Sequence, residues 1–541
     1  MKRTYTYIAL LTGALWLGGC KDLDLAPANR FTEANYWTSA DRALSVLNTA
    51  YAGLFKSDYF FYNEALSDNA FNQLGDAAGA NSIGRGSYNA ALPRLKDEWD
   101  FHYAGIKTVH ILQANIDRVP NLDPTLKARI LAEARVIRAH HYFQLMTWFG
   151  DVPLLKEDVS IEQSRSLTRT PRAEVLAFVL SELDAAAAAL PTNVQYAAAD
   201  NGRITKGAAL ALKARVLLYE NRWQEVATTC EQLINNTTNG TYGLFPSYSG
   251  LFLPQNENSQ ESILAMQFAP NLVTWSNFRD FVPLTIGDRV NNLAPTQELV
   301  NDYLTINGRT ITEAGSGFVE ADQYNNRDPR LTATIVYDAY QWTKPDGTTS
   351  TIFIRPGSTP VGQDARNEFG KQNASTTGYY VRKYYDPTSN ANFQSGLNLM
   401  LIRYADVLLM YAEAKNELNQ LDAGVWNTTI GALRRRAGFT DANALNFPAG
   451  ANQVALRAVV RRERRSELAM EGLRIFDIRR WRIAETVLNG FARGAKFGDP
   501  TVDNGYARVD RRSFDPAKNY LWPIPQLERD LNTNLAQNPG W

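Results

Sequence analysis

From Asp41 to Leu54 apolar residues fall at Ala43, Val46, Leu47, Ala50 and Leu54, the i, i+3, i+4, i+7 stripe of a helix covering a core. The same period predicts a second helix over about 99–118 and a long third one over about 126–149. Gly150-Asp151-Val152-Pro153 closes the third, a glycine stop with proline just beyond it. Thr170-Pro171 supplies an N-cap and a first-turn proline for a helix that runs to Leu190-Pro191. Two more helical patterns fill 205–236, joined by a tight turn at Glu220-Asn221-Arg222, with Gly207, Ala211 and Ala214 spaced for close approach between helices. The plan returns over about 401–437, where Ala405, Leu408, Ala412 and Leu418 lead through a polar turn into Trp426 to Arg436. Hairpins of about 34 residues with small residues on the first helix are tetratricopeptide-like. The predicted fold is therefore mainly α, a scaffold of three or four helical hairpins.

Between the hairpins the pattern breaks. Residues 241–396 are rich in Gly, Asn, Thr, Pro and aromatics, with only short apolar runs such as Ile263 to Met266 and Thr334 to Tyr337. This predicts a large irregular insertion with a few short strands, and long ordered loops tend to carry function. The expected organisation is an N-terminal helical part over 20–240, a ligand-facing insertion over 241–396, and a C-terminal hairpin with a closing segment over 397–541. Residues 59–89 share the insertion's loop character.

Residues 1–19 read as a leader. Lys2 and Arg3 are followed by an apolar run from Tyr7 to Leu17, and Leu17-Gly18-Gly19 leads into Cys20. That run falls well short of the roughly 20 residues a spanning helix requires. Two small residues followed by a cysteine offer a cleavage site and a thiol for lipid, so Cys20 is the expected attachment point. The only other cysteine is Cys230, inside a helical pattern, so no disulfide is expected to hold the fold.

Charge narrows the function further. Removing the leader takes two of the 56 basic residues and none of the 56 acidic ones, a net charge of about −2 that gives no reason to invoke nucleic acid. The densest charge run, Arg461 to Arg482, interleaves eight arginines with Glu463, Glu467 and Glu471, and predicts ion pairs to neighbouring elements. No G-x-x-x-x-G-K-[ST], H-E-x-x-H or G-x-S-x-G occurs, so no cofactor, zincin site or nucleophile elbow has local support. His140 and His141 are adjacent, not at the i, i+4 spacing of helical metal ligands, and are expected to pack; no metal site is predicted.

The aromatics point to binding. Flat rings stack on sugar faces or on peptide side chains, and nearby Asn, Asp and Arg add directional hydrogen bonds. Among the loop aromatics at 59–62, 88, 275, 278, 340, 342 and 379–380, the candidate contacts are Tyr88, Trp275, Phe278, Tyr340 and Trp342, with Asp68, Asn69 and Arg85 as polar partners. Exposure of Trp275, Trp342 and Tyr88 on one face would favour glycan, and burial would count against it.

A series of motifs runs along the mature chain: Leu23-Asp24, Tyr36-Trp37, Ala132-Glu133-Ala134-Arg135 through Phe149-Gly150-Asp151-Val152-Pro153, and Thr205-Lys206-Gly207-Ala208-Ala209. Further on stand Asp328-Pro329-Arg330-Leu331, Arg403-Tyr404-Ala405-Asp406, Arg461-Arg462-Glu463-Arg464 through Trp481, and Leu521-Trp522-Pro523-Ile524-Pro525. In this order they resemble the SusD/RagB family of outer-membrane nutrient-binding lipoproteins of the Bacteroidetes. The resemblance implies a tetratricopeptide-like fold, no catalysis, display on the outer membrane facing the exterior, and a SusC-like TonB-dependent transporter as partner. It implies an oligosaccharide or polysaccharide ligand, with peptide as the alternative within the family; a surface glycosidase, which would need a carboxylate pair facing a cleft, is the more distant rival. Family ligand contacts lie in variable loops, so the motifs transfer no binding residue.

Overall fold

The computed structural model describes residues 33–235, 237–287, 290–360, 362–366, 373–389 and 393–541; the leader and Cys20 lie outside them. The longer helices are α1 (Ala40–Ala52), α2 (Pro93–Asn115), α3 (Pro124–Phe149), α4 (Arg172–Ala189), α5 (Lys206–Tyr219), α6 (Trp223–Ile234), α7 (Tyr404–Glu417), α8 (Ala423–Thr428), α9 (Ile430–Ala437), α10 (Gln453–Glu467) and α11 (Arg474–Arg480). Each packs on its sequence neighbour from α1 to α6, and α6 then packs on α7, across the insertion. The scaffold is thus a stack of antiparallel hairpins, α3/α4, α5/α6 and α7/α8–α9, with α10 laid against α7. Among the described residues no helix is long and apolar enough to cross a membrane.

Local chemistry explains the boundaries. Gly150 ends α3 at φ +75°, and Asn221 turns α5 into α6 at φ +55°. The Thr205 hydroxyl caps α5 by accepting from Ala208 N. The start of α4 differs from the expectation by one residue: Pro171 stands at the cap, and Asp151 Oδ1 accepts the Arg172 N–H instead. Thr170 is drawn away because its backbone pairs with Val152 and its hydroxyl accepts from Leu154 N. Gly207 also has a different partner from the one predicted. A Cβ there would strike the Tyr242 ring, so the glycine admits an insertion side chain and not a helix backbone.

His140 and His141 pack, as the sequence implies. Both are buried on α3, and His141 Nδ1 meets His102 Nδ1 of α2 at 3.0 Å. Burial, with His102 alongside, pushes the His140 imidazole down to about 3.

Short antiparallel pairs run within the insertion and between it and its flanks: β1 (Ala70–Asn72) with β3 (Leu293–Pro295), β2 (Ser262–Met266) with β8 (Leu399–Arg403), β4 (Ile335–Val336) with β7 (Tyr380–Val381), and β5 (Tyr340–Thr343) with β6 (Thr349–Ile352). A fifth pair, β9 (Gly490–Arg493) with β10 (Arg508–Arg512), lies near the C-terminus. No strand pair is long enough to bury a core of its own. Something else must tie the insertion to the helices.

That tie is a network of buried ion pairs around the C-terminal half of α10. Glu467 receives Arg403 at 2.6 Å, Arg330 at 2.9 Å, and Arg436. Arg403 also meets Glu261 at 2.7 Å and Glu471 at 2.8 Å, while Glu463 joins Arg330 at 2.7 Å to Arg434 at 2.8 Å. Arg464 binds Asp406 of α7 and Asp477 of α11, the latter at 2.8 Å. Lys383 of the insertion contacts Glu471 at 2.6 Å. The predicted locking of the charge run to its neighbours holds, although Glu471 lies beyond the end of α10, in the turn before α11.

Burial raises the Glu467 carboxyl, but Arg436, Arg403 and Arg330 outweigh it and hold the group well below the carboxylate range. Truncating Arg403 leaves three buried carboxylates short of a partner. We expect Arg403→Ala to cost about 3–5 kcal/mol, read as the shift in urea-unfolding free energy. A change under about 1 kcal/mol would mean the pairs contribute little.

Glu64 behaves oppositely. It is fully buried and accepts Asn69 Nδ2 and Gly472 N, both at 2.7 Å. Burial pushes its carboxyl up to about 7 against these hydrogen bonds. The stability it contributes as a neutral acid is complete below the unfolded value near 4.3 and is lost as pH rises through 7. Glu64→Gln should therefore gain on the wild type by about 3 kcal/mol between pH 4.5 and pH 8. Urea unfolding across that range is the check, and a difference independent of pH would contradict it.

Candidate functional site

Strand β5 reads Tyr-Gln-Trp-Thr, and its alternation puts Tyr340 and Trp342 inward and Gln341 and Thr343 outward. Trp342 is fully buried, with its ring edge-on to Tyr385 at 5.0 Å and 6.2 Å from Tyr340. Tyr385 meets Phe278 at 6.1 Å, and Phe278 meets Trp275 at 6.0 Å. Trp275 donates its indole N–H to the Leu397 carbonyl at 2.7 Å. The structure thus brings Trp275, Phe278, Tyr340 and Trp342 together, but as a buried seam and not as an exposed platform. The reason is supply: an insertion without long helices has few other large apolar groups from which to build a core.

The polar expectations need the same correction. Asp68 is buried and paired with Arg474 at 2.8 Å and Arg465 at 3.1 Å, and Asn69 accepts Arg465 at 2.8 Å. These two residues anchor α10 and α11. Arg85 is exposed and paired with Asp510 of β10 at 2.8 Å. Tyr88 is half-buried, its ring 4.8 Å from Trp541 and its hydroxyl accepting Asn519 Nδ2 at 3.2 Å. Neither lines the two clefts that flank the seam.

The seam surfaces at a place the sequence reading did not single out. Tyr340 meets Tyr337 at 5.4 Å, and Tyr337 stacks flat on Tyr324 with centroids 4.0 Å apart and planes 10° from parallel. Both rings of this stack are half-exposed. Tyr324 edges a cleft of about 610 Å³ that also presents Glu320, Asp322, Asp338, Arg355, Lys496 and Phe497. Glu320 pairs with Lys496 at 2.7 Å, which holds its carboxyl below the ordinary value. Asp338 Oδ1 accepts the N–H groups of Ile354 and Arg355, and the Arg355 guanidinium lies 4.8 Å over Phe497.

A second cleft of about 530 Å³ is lined by Tyr340 itself. Its walls are the 247–253 loop, the short helix Pro329–Thr334, β5, and residues 382–385, with the Arg382 guanidinium 4.3 Å over Trp342. A further cavity of about 420 Å³ sits on the scaffold between α2 and the closing segment, lined largely by Trp99, Tyr103, Ile106, Leu155, Leu531 and Leu535. Its lining is mostly apolar and lies away from the insertion. The surface signal for Tyr324 was present in its run, Asp322-Gln323-Tyr324-Asn325-Asn326, an aromatic among directional polar groups.

Residues 260–541 match the family model described as the SusD family, and residues 34–218 match one described as starch-binding associating with outer membrane. The chain belongs to the SusD family. It is 26% identical to SusD-like protein P2 of Formosa agariphila, over the full length of both. A solved SusD-like carbohydrate-binding protein from Bacteroides fragilis is 30% identical, covers 93% of this chain and 100% of its own, and superposes with a TM-score of 0.82. A laminarin-binding SusD-like protein shares the fold at 22% identity and a TM-score of 0.68, covering 93% of this chain and 100% of its own.

Within this SusD-like fold the buried seam makes a separable prediction. Trp342→Ala should cost about 3–5 kcal/mol in urea unfolding, the range for deleting a buried large ring. Arg85→Ala should change stability by less than about 1 kcal/mol, as for an exposed ion pair. An unaltered unfolding midpoint for the Trp342 variant would return that ring to the list of ligand contacts.

Proposed function

We propose that this chain is a lipid-anchored binding protein of the outer membrane. It captures a polysaccharide or oligosaccharide on its insertion and passes it to a SusC-like TonB-dependent transporter. The observation that carries the reading is the Tyr324/Tyr337 stack: a half-buried ring, Tyr324, lines a cleft that also offers Arg, Lys, Asp and Glu, and Tyr337 backs it from behind. A sugar ring presents C–H groups on its faces and hydroxyls on its rim, which such a cleft matches. The carbohydrate-binding relative from Bacteroides fragilis and the laminarin-binding fold neighbour support the same class of ligand by their names.

The role we assign is binding without chemistry. A glycosidase needs two carboxyl groups held apart across a cleft, one of them kept protonated. Here Glu320 is tied to Lys496, Asp338 to two backbone N–H groups and Asp322 to Asn325. Each carboxylate of the cleft thus has a structural partner. Lipid on Cys20 fits the role, since a tether holds a capture protein beside its transporter at high effective concentration.

Tyr324→Ala should weaken glycan binding at least tenfold, about 1.4 kcal/mol, while leaving the melting temperature within a few degrees. Affinity electrophoresis against neutral and acidic polysaccharides, with a peptide library in parallel, is the measurement. Retardation by no polysaccharide would sink the glycan reading, and binding of peptides alone would replace it with the peptide one.

A further inference from the structure

We infer that the cleft beside Tyr340 recognises an anionic group on the polysaccharide, a uronate carboxylate or a sulfate ester, through Arg382. The inference rests on the glycan reading above and names the class of glycan.

The lining of this cleft contains two cations, Arg382 and Lys383, and no carboxylate. Lys383 is already committed. It is buried and reaches Glu471 at 2.6 Å, the Ala469 carbonyl at 2.9 Å and the Tyr248 hydroxyl at 3.0 Å. Arg382 is different: among the described residues no carboxylate lies within ion-pair distance of it, and it is only half-buried. Buried arginines nearby, Arg330, Arg403 and Arg436, each meet at least one acid. The positive charge of Arg382 is instead laid over π faces, 4.3 Å from Trp342 and 5.4 Å from Tyr385.

That placement prepares the group for an anion. Contact with the two rings confines the guanidinium, so less freedom is lost when its fork closes on two oxygens of a carboxylate or sulfate. Its backbone is fixed as well, with Arg382 N donating to the Thr334 carbonyl at 2.8 Å. Around it Ser247, Ser249, Thr332, Gln341 and Thr343 offer neutral donors and acceptors suited to sugar hydroxyls. The cleft at Tyr324 has the opposite balance. There Glu320 and Asp338 face Lys496 and Arg355, and Asp322 remains in excess, so an anionic residue is repelled and a neutral one admitted. The two clefts therefore divide the work, with the acidic group selected beside Tyr340.

The test uses the mature protein with affinity electrophoresis and calorimetry against polygalacturonate, a sulfated carrageenan, and the neutral glucans laminarin and starch. The wild type should prefer one polyanion over both neutral glucans by at least tenfold, and the carboxylate and sulfate arms tell which group is read. Raising salt from 50 to 500 mM should weaken that binding severalfold, because a half-exposed charge is screened. Arg382→Gln should reduce the preference for the polyanion at least tenfold. Arg382→Lys, which keeps the charge without the planar fork, should fall between the two. Thermal melts of both variants confirm folding, and the salt series on the wild type gives a reading that does not depend on either variant. Binding of neutral glucans without the polyanions, or an Arg382→Gln variant with undiminished preference, overturns the inference and leaves the glycan reading standing. Binding of neither class overturns both.

Discussion

The structure depends on a cluster of charge that is almost entirely out of water. Glu467 lies among Arg330, Arg403 and Arg436, and each of these arginines belongs to a different part of the chain. Taking such groups out of water costs several kcal/mol per ion, which is recovered only if every charge is paired and hydrogen-bonded. Arg403 meets that condition with five donor contacts to Glu261, Glu467 and Glu471 side chains and one to the Glu467 carbonyl. The value of the cluster lies less in net stability than in placement. A hydrophobic contact tolerates sliding, whereas a bidentate pair fixes distance and orientation.

Placement is what the insertion lacks by itself. Its strands are short and its rings bury one another, so the seam from Trp275 to Tyr340 can form a core but cannot locate that core on the helical scaffold. The ion pairs do so at three points: Glu261 before β2, Arg330 in the helix before β4, and Lys383 after β7. Asp68 and Glu64 attach the N-terminal loop to the same region through Arg465, Arg474 and Gly472 N. Charged groups thus perform the docking that long apolar helix faces perform in the hairpins.

This division explains what was legible in the sequence. Helix α1 and the α5/α6 hairpin follow from spacing because a helix must present its apolar stripe at every turn, and local signals such as Gly150 and Asn221 close them. The Arg461 to Arg482 run was legible as an ion-pair lattice because alternating signs on a helix have few other uses. The ring platform was not, because Trp342 has the same letter whether it faces a sugar or a core. Its neighbours decide, and these are Tyr385, Tyr340 and Arg382, with Tyr385 and Arg382 about 40 residues away along the chain. Asp68 and Asn69 failed for a related reason: their partners Arg465 and Arg474 lie some 400 residues further on. In β5 the period-2 pattern Tyr-Gln-Trp-Thr already held the answer, since it assigns both rings to one inward face.

The groups assigned to ligand are tied closely to the groups that hold the fold. Arg382 precedes Lys383, whose ammonium is fixed by Glu471, so the half-buried guanidinium projects from an immobilised backbone. Tyr337 follows the short helix in which Arg330 is held by Asp328, Glu463 and Glu467, and the Tyr337 hydroxyl meets Thr332 Oγ1 of that helix at 3.1 Å. Tyr340 donates to the Thr332 carbonyl at 3.0 Å, tying a wall of the Arg382 cleft to the same turn. Binding groups on loops ordinarily lose freedom when ligand arrives, and that loss weakens affinity. Here part of the loss has been incurred on folding, because Arg382 adjoins Lys383, which cannot move without exposing a buried charge, and the Tyr337 and Tyr340 hydroxyls are bonded to the short helix that carries Arg330.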